Sequence, residues 1–141
     1  MREVTHSALI RQTPARLFAL INDVERYPDF VPWCTHARVL ERSAHEIVAT
    51  LGLRRGVLQG EFTTRNELEP DRQVRMHLVN GPFKMLEGLW KLTPVGADGC
   101  RVDLTMRFAF RNAFTAVLFE QKFAETTSAL MDAFVARARS A

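Results

Sequence analysis

The sequence predicts an α+β domain in which a curved antiparallel sheet of about seven strands grips one long C-terminal helix. Three observations carry this expectation. Hydrophobicity alternates with period two from about residue 35 to 111, between turn-forming clusters at Ser43-Ala44, Arg55-Gly56, Pro70-Asp71, Asn80-Gly81-Pro82 and Gly96-Ala97-Asp98-Gly99. The period then changes, and Phe119, Phe123, Leu130 and Phe134 recur on one stripe of a helix. Strands and helices are thus segregated along the chain and do not alternate as in a parallel α/β fold.

The elements follow in order. Val4, His6, Ala8 and Ile10 share one face of a first strand at about residues 3–12, with Thr5, Ser7 and Arg11 on the other and Leu9 out of step. Thr13-Pro14 supplies an N-cap and a first-turn proline, and Leu17, Leu20, Ile21 and Val24 continue at helical spacing. The helix should end before Tyr27-Pro28. From Tyr27 to Cys34 the chain holds two prolines and the aromatics Tyr27, Phe30 and Trp33, which predicts an aromatic-rich surface turn with one helical turn at most. Six strands follow. In the last, Val102, Leu104, Met106, Phe108 and Phe110 alternate with Arg101, Asp103, Thr105 and Arg107, so one sheet face is buried and the other wet. Asn112 caps the final helix, which runs to about Arg139, and Arg137 and Arg139 suit the negative end of its dipole.

A chain of 141 residues with 47% hydrophobic and 25% charged residues is expected to form one globular domain over residues 1–141. Apolar runs such as Leu17-Phe18-Ala19-Leu20-Ile21 fall far short of the ~20 residues of a membrane span. The first residues lack the layout of a secretory signal, which implies a cytoplasmic location. Cys34 and Cys100 have no metal-ligand spacing and leave open only a single bridge. The net charge of +3 permits an anionic partner without requiring one. Sixteen of the 19 basic residues are arginine, the side chain that forks onto phosphate.

Catalytic signatures are sparse. His6, His36, His45 and His77 stand apart, so no metal site is expected, and no nucleophile elbow or phosphate-binding glycine loop occurs. His6 shares the inward face with Val4 and Ile10 and reads as a hydrogen-bonded core histidine. Glu61 and Glu87 read as solvated strand residues and not as a paired acid and base. Two apolar clusters stand out instead. Tyr27, Phe30 and Trp33 form a lid over the sheet opening, and a Gly81-to-Leu92 segment places Leu86, Gly88, Trp90 and Leu92 on one face. Gly88 within that strand signals a bulge or a close approach. On the opposite face Arg65, Arg75, Lys91, Arg101 and Arg107 offer a basic platform for RNA phosphate, with Glu61, Glu87 and Asp103 set among them.

Tyr27-Pro28-x-Phe30-x-Pro32-Trp33-Cys34 and Gly81-Pro82-Phe83-Lys84-x-Leu86-x-Gly88-x-Trp90 closely resemble the bacterial RatA family and its mitochondrial coenzyme Q-binding relatives, within the START-like, polyketide cyclase/dehydrase-like superfamily. The likeness extends over nearly the whole chain. It implies a helix-grip fold with a hydrophobic tunnel between sheet and helix, and a non-catalytic carrier of ubiquinone or a related isoprenoid lipid that supports respiration. No cofactor is then required beyond the bound lipid. The same resemblance implies a second role, a toxin that binds the large ribosomal subunit, with an antitoxin partner the chain does not identify. An older label, oligoketide cyclase, finds no acid/base pair here. Nothing points to DNA. A carrier of this kind would act in the cytoplasm and touch the inner membrane peripherally. The expected ligand site comprises Tyr27, Phe30, Trp33, Phe83, Leu86, Trp90, Leu104, Met106, Phe108, Phe110, Phe119, Phe123, Leu130 and Phe134, with Trp33 and Phe83 near the entrance.

Overall fold

A computed structural model describes residues 1–140. The elements are β1 (Arg2–Ile10), α1 (Pro14–Asn22), a 3-10 turn (Val24–Arg26), α2 (Tyr27–Phe30), β2 (Cys34–Arg42), β3 (Glu46–Arg55), β4 (Leu58–Glu69), β5 (Gln73–Asn80), β6 (Phe83–Val95), β7 (Gly99–Phe110) and α3 (Ala113–Ser140). The seven strands form one antiparallel sheet in the order β1-β7-β6-β5-β4-β3-β2. Each strand from β2 onward pairs with its chain neighbour, because short hairpins join them. Only β1 crosses to the far edge, where Val4 lies opposite Met106 and Ala8 opposite Val102.

The alternation read from sequence is the pleat of this sheet. Leu86, Trp90 and Leu92 of β6 and Val102, Leu104, Phe108 and Phe110 of β7 point inward and are sealed from solvent. α3 crosses that face over β1 and β7, while α1 packs on β6 and α2 with the 3-10 turn on β2. Caps fall where expected: Thr13 Oγ1 accepts from Arg16 N at 3.2 Å and Asn112 Oδ1 from Thr115 N at 2.9 Å. β1 stops two residues early because the chain leaves the sheet to meet α3, where Gln12 Nε2 donates to Ala138 O at 3.0 Å. No helix among the described residues is long and apolar enough to cross a membrane.

One expectation needs correction. The Tyr27–Cys34 segment is not a surface turn, since Tyr27, Val31 and Trp33 are core residues. Tyr27–Phe30 is the single helical turn, and its tyrosine hydroxyl donates to Ile21 O. Trp33 Nε1 reaches across to donate to Thr126 O on α3 at 2.9 Å. Pro28 lies in the first turn of α2 and Pro32 follows its end, and the aromatics stay inside because hydrogen bonds to Ile21 O and Thr126 O let their polar atoms enter the core.

Both cysteines are free and buried, on strands with four others between them in the sheet. Burial pushes the Cys34 thiol up from 9.0 to about 11. The folded thiol therefore keeps its proton where the unfolded one loses it. Its contribution to stability is complete below pH 9 and is lost as pH rises through about 11. Urea midpoints taken across that window should fall less steeply for Cys34→Ala than for the wild type.

Candidate functional site, an apolar cavity between sheet and helix

The inward rows of the sheet run across several strands. Met106 on β7 lies opposite Gly88 on β6, which lies opposite Met76 on β5, which lies opposite Asn66 on β4. Gly88 is the close approach, and the register passes through it without a bulge. A Cβ there would sit 2.3 Å from Met76 Cε and 2.7 Å from Met106 Sδ, so the missing side chain is what lets both methionines lie over β6. Above these rows stand Trp90, from β6, and Trp33, from the segment after α2.

Between them and α3 lies a cavity of about 50 Å³. Of the fourteen residues expected at a ligand site, Tyr27, Trp33, Trp90, Met106, Phe123 and Leu130 line it. The other eight do not. Phe83, Phe108 and Phe110 form an aromatic cluster around Phe123, with centroid distances of 4.8 Å from Phe83 and 4.7 Å from Phe108 to Phe123. Phe83 is thus buried in that cluster and does not stand at an entrance. Phe119 packs on Phe110, Phe30 and Phe134 pack on each other, and Leu86 and Leu104 are sealed in the core. Arg137 covers the outer side of Phe30, its guanidinium 5.0 Å from the ring.

The rest of the wall was not foreseen. It includes Ile21, Val24, Ala49, Leu51, Phe62, Val74 and Met76, and four polar residues, Thr64, Asn66, Thr126 and Thr127. The α3 threonines bond into their own helix, both hydroxyls donating to Phe123 O. Thr64 Oγ1 donates to Asn66 Oδ1 at 2.8 Å, and both residues are buried on the inward face of β4. A signal for this pair was present: Thr64 and Asn66 occupy the same parity as Phe62 and Leu68, where an apolar residue is the rule. Tyr27 is the one titratable group of the wall, and burial drives its phenol far up, so it stays neutral. Such a lining can enclose an apolar molecule and orient it with a few hydrogen bonds.

The outer face collects the expected cations, ion-pairs two of them and sets carboxylates among the rest. Arg107 lies 3.9 Å from Glu87 and Arg101 3.2 Å from Asp103. Arg75 stands opposite Glu67, Lys91 opposite Asp103, and Arg65 opposite His77, whose Nε2 lies 2.9 Å from Glu67 without hydrogen-bond alignment. Glu61 pairs with His36, whose ring lies over Gly52 in space a Cβ would fill. A face so interleaved presents little net field to a polyphosphate.

The sequence model of a family described as polyketide cyclase / dehydrase and lipid transport matches residues 10–135. The chain is 39% identical over 139 residues to a Vibrio cholerae protein named ribosome association toxin RatA, covering 99% of this chain and 96% of that one. It is 26% identical over 137 residues to a Xenopus laevis protein named coenzyme Q-binding protein COQ10 homolog B, mitochondrial, covering 94% of this chain and 56% of that one. Among solved structures, the Zhui aromatase/cyclase from Streptomyces sp. R1128 superposes with a TM-score of 0.87 over 98% of this chain and 93% of that one, at 19% identity. That last likeness is one of fold.

Proposed function

Because the chain belongs to the polyketide cyclase / dehydrase and lipid transport family, we propose that it binds and carries an apolar small molecule of the quinone or isoprenoid lipid class in the cavity between sheet and α3. One observation carries the reading: aromatic, methionine and aliphatic side chains of the sheet and α3 meet around an apolar space with no cation or carboxylate in its wall. The coenzyme Q-binding name of the Xenopus relative supports it.

The enclosed 50 Å³ is well below the ~300–1,000 Å³ of pockets that hold drug-sized ligands, so binding requires the wall to open. Met76 and Met106, unbranched and free to change rotamer over Gly88, are the softest part of it. Gly88→Ala should therefore fold, with a stability loss at the low end of about 1–3 kcal/mol, since only flexible side-chain ends must move. Both methionines would be driven into the cavity and lipid binding should weaken at least tenfold. Quenching of Trp33 and Trp90 fluorescence by a short-chain benzoquinone measures it, with urea unfolding as the control. For the proposal itself, the protein purified from its own host is extracted with organic solvent and weighed under native conditions. Stoichiometric quinone or lipid is expected. Extracts without lipid, together with no quenching by added quinone, would overturn the reading.

The higher identity to the RatA relative favours a second reading, association with the large ribosomal subunit. It predicts cosedimentation that falls steeply with salt. Arg75→Glu and Arg107→Glu test the outer face as the contact. Cosedimentation unchanged in both variants would exclude that face.

A further inference from the structure

We propose that Asn66, steadied by Thr64, is the hydrogen-bonding anchor of the cavity, and that the molecule held there is uncharged and carries a carbonyl-type acceptor at its polar end. The inference rests on the cavity being the ligand site and adds what kind of ligand it selects. Asn66 is only 7% exposed and lies in a wall that is otherwise almost wholly apolar. Its Oδ1 is engaged by the Thr64 hydroxyl, which leaves the two N–H groups of Nδ2 without a partner among the described residues. Nδ2 is not one of the sealed polar atoms that lack a partner, which are Asn22 Oδ1 and His77 Nε2, so its N–H groups border open space at the wall and can take an acceptor there.

The other donors of the wall narrow the choice. The Tyr27 hydroxyl is committed to Ile21 O, Trp33 Nε1 to Thr126 O, and the hydroxyls of Thr126 and Thr127 to Phe123 O. Trp90, two strands from Asn66 on the same face, adds an indole N–H to the wall that is not sealed without a partner. The cavity thus offers free N–H groups to an acceptor and no lysine, arginine or histidine to balance an anion. A carboxylate or phosphate head would be buried without a counter-charge, which a low-dielectric site penalises heavily. A pure hydrocarbon would leave the amide unsatisfied. A neutral carbonyl compound on an apolar body meets both conditions.

The test compares hexyl-benzoquinone with hexylbenzene, which share an apolar body and differ in the carbonyl groups. Calorimetric titration of the wild type should show about tenfold tighter binding of the quinone, the worth of one buried hydrogen bond. In the double variant Thr64→Val, Asn66→Leu the preference should fall to about twofold or less, through weaker binding of the quinone and binding of hexylbenzene at least as tight as to the wild type. Both partners of the polar pair are replaced there by apolar groups of similar shape, so neither is left unsatisfied. A readout on the unmutated protein runs alongside: the side-chain amide resonances of Asn66 should move on adding hexyl-benzoquinone and stay in place with hexylbenzene. A preference that survives the double variant, or amide resonances that ignore the quinone while those of other wall residues respond, would overturn the anchor and leave the carrier reading standing. Failure of both compounds to bind the wild type would overturn the carrier reading, and the anchor with it.

Discussion

Phe123→Ala is expected to cost about 3–5 kcal/mol of folding stability. The ring is 3% exposed and lies at the centre of an aromatic cluster, 4.7 Å from Phe108, 4.8 Å from Phe83 and 6.4 Å from Phe62. Those three partners come from β7, β6 and β4, so this one side chain ties α3 to strands spread across the sheet. Edge-to-face contacts of this kind add to the apolar area removed from water. Because Phe123 also lines the cavity, the space left by its ring would join the existing 50 Å³. Partial collapse of α3 onto the sheet would reduce the loss. A midpoint shift in urea equivalent to less than about 2 kcal/mol would show that α3 slides easily over the strands. Since whole domains are stable by only about 5–15 kcal/mol, the variant should be marginal at physiological temperature and recover with a tightly bound ligand.

The strands were legible because burial on one face writes a period of two into the chain, and Leu104 opposite His6 and Trp90, or Met106 opposite Val4 and Gly88, keep that phase across three strands. Gly88 was legible for the same reason, as a gap in an apolar row. The Tyr27–Cys34 segment reads locally as a surface turn because two prolines and a short apolar cluster describe a turn wherever it sits. Its burial is decided by Trp33 reaching Thr126, a contact 93 residues away that no local pattern carries. The cavity wall was read only in part for a related reason. Periodicity tells which side of a strand or helix is inward, but not whether an inward residue meets a neighbour or a space. Phe108 and Met106 share a face of β7, yet the first abuts Phe123 while the second borders the cavity. Asn66 shares the inward parity of Phe62 and Leu68, but parity does not tell that its amide borders a space.

The two functional readings use opposite faces of one sheet. Lipid would lie against the inward rows, whereas a ribosomal contact through Arg75 or Arg107 would use residues one position along the same strands. Neighbouring positions therefore separate the readings: a change at Met106 should act on lipid binding and one at Arg107 on ribosome association. The pairing of Arg107 with Glu87 and of Arg101 with Asp103 makes the outer face a weak electrostatic platform. A salt-sensitive ribosome contact unaffected by changes to this face would instead direct attention to the arginines near the end of α3 and in the hairpins.

The second large effect is expected at Trp33, where two substitutions divide its roles. Trp33→Ala should lose about 3–5 kcal/mol, because it removes a core indole and opens the wall of the cavity. Trp33→Phe retains most of the apolar surface and gives up the bond from Nε1 to Thr126 O, at 2.9 Å, for a loss of about 1 kcal/mol. That bond is the link by which the segment after α2 holds α3 at the cavity. If the link governs opening, Trp33→Phe should release a bound hexyl-benzoquinone several-fold faster in stopped-flow exchange while its equilibrium unfolding changes little. If release is unaltered, the segment after α2 is a fixed wall, and opening falls to Met76 and Met106 over Gly88, where Gly88→Ala would then have the larger effect on both uptake and release.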